Sequence, residues 1–215
     1  MSGQHLIGLI AADDVPADLG NAVIPCGTIA AAIRSAAPPA FASRESLDHH
    51  AAVVAWCRRA AFLPSRAGIP ISPELLQSIA RSAWFYRSAI EHVEGRVEIS
   101  VEIDRRDSPD CGRTDSSGRG YLRAAAVDLR ACEVGIATAA SLLAMYARRA
   151  DADLIARTAP LPAARLRASV LVRRAVAPRL AQQLDSMLNA ISARLVCRVT
   201  GPWPPYSFSK IPESS

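Results

Sequence analysis

His49 and His50 stand side by side, and Cys57 follows His50 by seven residues. Imidazole nitrogens and thiolates are the ligands of zinc and related metals, and a seven-residue step returns to one face of a helix. Adjacent helical residues point about 100° apart, however, so a regular helix cannot aim both rings at one ion. No third ligand is spaced to complete the set, and the pair reads as a solvated helix surface. A second set is Glu98, Glu102 and Asp104, carboxylates able to serve as acid and base. They share the polar side of one alternating segment, as Arg167 and Arg173 do on another, and cross-strand ion pairing is the simpler role. Gly112, Gly118 and Gly120 lie in a polar stretch that lacks the glycine spacing and the closing Lys-Ser/Thr of a phosphate loop. There is no Gly-x-Ser-x-Gly, and Cys132 and Cys197 fall on apolar faces as core residues. The residues thus supply no catalytic, cofactor or metal site, and the chain does not read as an enzyme.

The elements that would position these side chains follow from periodicity. His5 to Ala12 is a buried-type strand. Ala22 to Pro25 and Thr28 to Arg34 form either a hairpin or a strand followed by a short helix, and Ala36 to Pro39 ends the segment. Leu47, Ala51, Val54, Arg58 and Ala61 suggest the inward stripe of a helix from about Arg44 to Ala60. An extended piece runs to Ile71. Ser72-Pro73 has the form of an N-cap followed by proline at the first helical position. Leu75, Ile79, Ala83, Tyr86 and Ile90 then stripe a single helix. Gly95 to Asp104 alternates strictly, with Val97, Ile99, Val101 and Ile103 on one face, so it expects a sheet covered on one side only. A polar loop spans Arg105 to Gly120. A long helix follows, with Leu122, Ala125, Leu129, Cys132, Ile136, Ala140, Leu143 and Ala147 inward and Pro160 and Pro162 in the connection beyond it. Leu166 to Arg174 is a strand, Pro178 to Ser192 a helix and Leu195 to Thr200 a strand. The order β-α-β-α-β over the second half suits an α+β sandwich of ferredoxin-like kind.

Composition narrows the function classes. Half of the 215 residues are apolar and 21% are charged, as in an ordinary soluble protein. The net charge of +5 comes almost wholly from arginine, with Lys210 the one lysine, and the arginines are scattered rather than blocked. That pattern argues against nucleic acid as a partner. Five cysteines at wide spacing give no Cys-x-x-Cys pair. The apolar run at Leu6 has no basic region before it, and the uncharged run Val134 to Ala147 is too short to span a bilayer. A cytoplasmic protein with reduced thiols and no membrane partner is the expectation.

The most unusual segment is Gly201-Pro202-Trp203-Pro204-Pro205-Tyr206-Ser207-Phe208. Its prolines remove backbone donors and fix φ, which disfavours helix and sheet alike. A polyproline II run would bring Trp203 and Tyr206 to one side, and an extended continuation would place Tyr206 and Phe208 on one face. A stiff clasp whose rings cover a core is the simplest role.

This segment resembles the closing signature of the GvpF/GvpL family of gas vesicle proteins. Ala61-Phe62-Leu63-Pro64-Ser65-Arg66-Ala67-Gly68 is similar to the family's "vLPmRFG" segment, with Ser65 for the usual apolar residue and Ala67 for phenylalanine. Val93 to Val101 resembles its "l.gr.E..vkv" strand, and Gly120-Tyr121-Leu122 the "G..YL" that opens its long helix. The resemblance implies two α+β domains, residues 1–92 and a modified ferredoxin-like domain over 93–215, with the helices on one sheet face. It implies a non-enzymatic accessory protein of gas vesicle assembly, located in the cytoplasm or at the vesicle. Its partners would be the hydrophobic shell protein GvpA and other gas vesicle accessory proteins. Pro202, Trp203, Pro204, Pro205, Tyr206 and Phe208 are the candidate contact or structural residues. The alternatives are a ferredoxin-like small-ligand or RNA-binding module, or a metal- or thiol-dependent enzyme in which Cys57 and the histidines converge.

Overall fold

The computed structural model describes residues 3–35, 42–106, 118–159, 165–209 and 211. The expected terminator at Ala36 to Pro39, most of the polar loop with Cys111 and Gly112, and Pro160 and Pro162 lie outside these residues. The architecture is α+β, with two four-stranded sheets. Two compact units form, one from Met1–Arg96 with Pro204–Ser215 and the other from Val97–Trp203.

In the first unit, β1 (Gln4–Ala11), β2 (Val23–Cys26), β3 (Ile29–Ser35) and the short β4 (Leu63–Pro64) make a sheet of order β2-β3-β1-β4. The open choice after Ala22 resolves as the hairpin of β2 and β3. Leu6, Ile7, Leu9 and Ile10 of β1 are all buried, because helices cover both faces of this sheet. A bulge at Ile7, between the pairs Leu6–Ile33 and Gly8–Ala32, lets Ile7 join Ile10, Ala30 and Ala32 under α1 (Ala42–Cys57). Gly8 lies in the same sheet against Phe62, and a Cβ there would fall 2.4 Å from the Leu63 carbonyl and 2.6 Å from the Phe62 ring. Only glycine fits.

The inward stripe of α1 is not the one the apolar spacing suggests. Leu47, Ala51 and Arg58 are exposed, while His49, Val53 and Trp56 are buried, again at steps of four and three. A polar residue heads the buried face, so a count of apolar residues rotates the helix. Beyond β4, Ser72 caps α2 (Pro73–Arg81), its hydroxyl accepting the Leu75 N–H at 3.2 Å, with Pro73 at the first helical position. The single helix expected there is two. It breaks at Ser82, whose backbone turns to φ −103°, ψ 18° before α3 (Ala83–Val93), although Leu75, Ile79, Tyr86 and Ile90 stay buried throughout.

The second unit has the order β5 (Arg96–Arg105), α4 (Gly118–Arg149), β6 (Asp153–Ala159), β7 (Arg165–Arg173), α5 (Ala177–Asn189), β8 (Leu195–Trp203). This is β-α-β-β-α-β, the ferredoxin-like sequence of elements, in a sheet of order β6-β7-β5-β8. The strand missing from the sequence reading is β6. It is an edge strand without a fully buried residue, so it carries little period-two signal. On one face, Val97, Ile99, Val101 and Ile103 of β5 meet Cys132, Ile136, Ala139 and Leu143 of α4 and Leu180, Leu184 and Leu188 of α5. The expected α4 stripe holds from Cys132 onward, with Ala139 more deeply set than Ala140, but Leu122 is exposed.

Candidate functional site

The proline-aromatic segment divides between the two units. Gly201-Pro202-Trp203 extends β8, contrary to the expectation that its prolines would keep it out of a sheet. β8 is an edge strand, where proline costs no ladder bond on the outer side. The pairs Ser100–Thr200 and Glu98–Trp203 leave Gly201 and Pro202 as extra residues opposite Ile99, a bulge. Gly201 takes φ +128°, and a Cβ there would lie 2.8 Å from the Glu98 carbonyl, so glycine is required. Trp203 is 40% exposed, and its indole N–H donates to the Thr200 hydroxyl at 3.1 Å.

Pro204 and Pro205 are buried in the first unit. Tyr206 to Phe208 then forms a 3-10 turn rather than an extended strand, so Tyr206 and Phe208 do not share an alternating face. The Tyr206 ring packs on the cluster built by Ile7, Ile10, Val53, Trp56 and Phe62, where Trp56 and Phe62 stack at 5.5 Å. Its hydroxyl lies 3.0 Å from His50 Nδ1, with the two ring centroids 5.9 Å apart. Burial, and secondarily the nearby Cys57, holds the Tyr206 phenol well above its ordinary value, so it stays a neutral hydrogen-bonding group.

The neighbouring histidine has a different task. His49 is 3% exposed, and its Nε2–H donates to the Ser65 carbonyl at 2.9 Å. The Ser65 hydroxyl in turn donates to the Leu6 carbonyl at 2.8 Å, and its N–H donates to the Ile7 carbonyl at 2.8 Å. Residue 65 therefore joins α1 to β1 through its main chain, and the serine hydroxyl adds the bond to Leu6. His49 and His50 diverge, one toward Ser65 and one toward Tyr206. No group of three or more His, Cys, Asp or Glu able to hold a metal exists among the described residues. Cys26, Cys132 and Cys197 are buried, and burial pushes each thiol up, away from the reactive thiolate.

The carboxylates on β5 form an ion-pair ladder. Arg167 meets Glu102 at 3.4 Å and Asp104 at 3.1 Å, Arg165 meets Asp104 at 2.8 Å, and Arg198 meets Glu102 at 3.8 Å. Arg167 fills the expected role; Arg165 and Arg198 join it, while Arg173 lies exposed at the end of β7. Glu98, expected on the exposed face, is only 5% exposed. It stands opposite Trp203 in the strand pair.

Residues the sequence reading passed over are the exposed rings Trp84 and Phe85 of α3. Trp84 is 75% exposed, and the two rings meet edge to face at 6.2 Å. They stand one residue off the buried Tyr86-Ile90 stripe, and isolated apolar residues beside a core stripe carry no periodic signal.

The family model of gas vesicle synthesis protein GvpL/GvpF matches residues 19–210. The fold is similar to that of the crystal structure of GvpF from Anabaena sp. PCC7120, at TM-score 0.69 and 16% identity, covering 99% of this chain and all (100%) of that one. It is also similar to GvpF from Microcystis aeruginosa, at TM-score 0.67 and 18% identity, covering 98% of this chain and 100% of the other. No curated protein matches the chain.

Proposed function

This chain belongs to the GvpL/GvpF family of gas vesicle synthesis proteins, and on that footing we propose a non-enzymatic role in gas vesicle assembly. In this reading it binds the hydrophobic shell protein GvpA in the cytoplasm, alongside other gas vesicle accessory proteins, and supports the shell's formation and hence buoyancy. The observation that carries the reading is the family match over residues 19–210. The surface lends support. Each unit presents a large ring to solvent, Trp84 with Phe85 in the first and Trp203 in the second. Exposed aromatic rings are what a carrier of an aggregation-prone apolar subunit needs. Within the closing motif, Trp203 is the contact residue, while Pro204, Pro205 and Tyr206 hold the segment in place.

Co-precipitation with GvpA tests this. The unaltered protein captures GvpA, and Trp84→Ala with Phe85→Ala, or Trp203→Ala, weakens capture without unfolding the chain by circular dichroism. Undiminished flotation in a clean deletion, or the lack of any GvpA capture, overturns the reading.

A further inference from the structure

α4 has a second apolar seam on the side away from its core contacts. Val127, Ala131, Val134, Thr138, Ser141 and Met145 succeed one another at steps of four and three, a heptad pattern. Cys132, Ile136, Ala139 and Leu143 occupy the opposite side, against the sheet. An amphipathic surface helix has one such stripe, and the other face is normally charged. Here Val127 and Val134 are 62% and 66% exposed.

The polar atoms on this seam are already satisfied. The Thr138 hydroxyl donates to the Val134 carbonyl at 2.8 Å and the Ser141 hydroxyl to the Ala137 carbonyl at 3.0 Å. Both are turned back onto their own helix, leaving methyl and methylene groups outward. Depressions of about 440 Å³ and 490 Å³ flank Val134 and Thr138, one reaching Ile191 and the other Met145. Such hollows beside a heptad seam are the holes that side chains of an incoming helix fill.

The rim decides what that helix must be. In heptad register, Arg123 and Arg130 flank the seam one turn-pair apart, and both are exposed. Asp128, the carboxylate beside the seam, is taken up by Arg194 at 3.1 Å and Arg105 at 3.7 Å and is only 19% exposed. The edge is therefore basic. We propose that the outward face of α4 docks an amphipathic helix of a partner protein, apolar along its seam and acidic at its flanks, in coiled-coil fashion. Small residues at Ala131, Thr138 and Ser141 permit a close approach. This holds whether or not that partner is the shell protein.

The test uses the full chain and two fluorescein-labelled synthetic helical peptides of about three heptads. Both carry Leu and Ala along the seam; one has Glu at its flanking positions and the other Lys. Fluorescence anisotropy at low salt is expected to show saturable binding of the Glu peptide and roughly tenfold weaker binding of the Lys peptide. Val134→Glu, at an exposed position, abolishes binding while leaving circular dichroism unchanged. Arg123→Glu with Arg130→Glu reverses the peptide preference. Binding of neither peptide, equal binding of both, or binding indifferent to Val134→Glu overturns the proposal. So does a dimer in sedimentation that Val134→Glu disperses, since a second copy would then own the surface.

Discussion

The Tyr206 hydroxyl and His50 Nδ1 lie 3.0 Å apart although 156 residues separate them in sequence. The contact joins the proline-aromatic segment to α1 within the first unit, and the Tyr206 ring completes a cluster that Trp56 and Phe62 begin. Removing the hydroxyl and removing the ring should therefore have different magnitudes. Tyr206→Phe is expected to lower stability by about 1 kcal/mol, the net worth of one hydrogen bond. Tyr206→Ala should cost about 3 kcal/mol or more, because a partly buried ring leaves a cavity. Urea denaturation of the two variants checks both values, and equal losses would show that the bond and not the ring sets the effect.

Gly8→Ala is expected to destabilise by about 3 kcal/mol, because the new methyl would collide with the Leu63 backbone as well as with the Phe62 ring. Gly20→Ala, into open space, should change stability by no more than about 0.5 kcal/mol. Thermal midpoints of the pair measure the contrast.

Ser65→Ala should cost about 1–2 kcal/mol by leaving the Leu6 carbonyl without its hydroxyl donor in the core. His49 meets the backbone carbonyl of Ser65, which Ser65→Ala keeps, so the two side chains make separate bonds. A double-mutant cycle with His49→Ala should give losses that add within about 0.5 kcal/mol. A larger coupling would show that the two bonds depend on each other.

Alkaline pH should weaken the fold. Burial raises the thiols of Cys26, Cys132 and Cys197 above their ordinary value of 9.0, and the phenols of Tyr86 and Tyr206 above 10.0. In the unfolded chain these groups ionise at the ordinary values, while in the folded chain they keep their protons. The folded state then binds more protons, so stability is fully present below about pH 9 and falls as pH rises above it. Urea midpoints between pH 8 and 11 should decline, and Tyr206→Phe should decline less steeply above pH 10. A flat profile would contradict the burial of these groups.

What the sequence discloses depends on how one-sided each element is. β5 was plain, because its alternate residues meet a core on one face and an ion-pair ladder on the other. The Ser72-Pro73 cap was plain because its bond is local. A count of apolar residues rotates α1 because His49, a polar residue, sits in the core for the sake of a carbonyl sixteen residues away. β6 escaped because an edge strand buries too little to leave a period. The second seam of α4 was hidden by alanine, which marks neither face as inward. Glu98 reads as a surface carboxylate because it falls on the polar side of a strictly alternating strand, although it is buried. The closing motif was legible as a unit but not as a geometry, since its two halves belong to different compact units.

That division has a consequence for synthesis. Translation delivers the first strands, α1 and the Phe62 segment early, but Pro204 to Phe208 leaves the ribosome only after all of Val97 to Trp203. Until then the cluster of Trp56 and Phe62 lacks the Tyr206 ring that packs on it. A nascent chain arrested within Val97 to Trp203 therefore holds an incomplete first unit, although every strand of that unit's sheet has already been made.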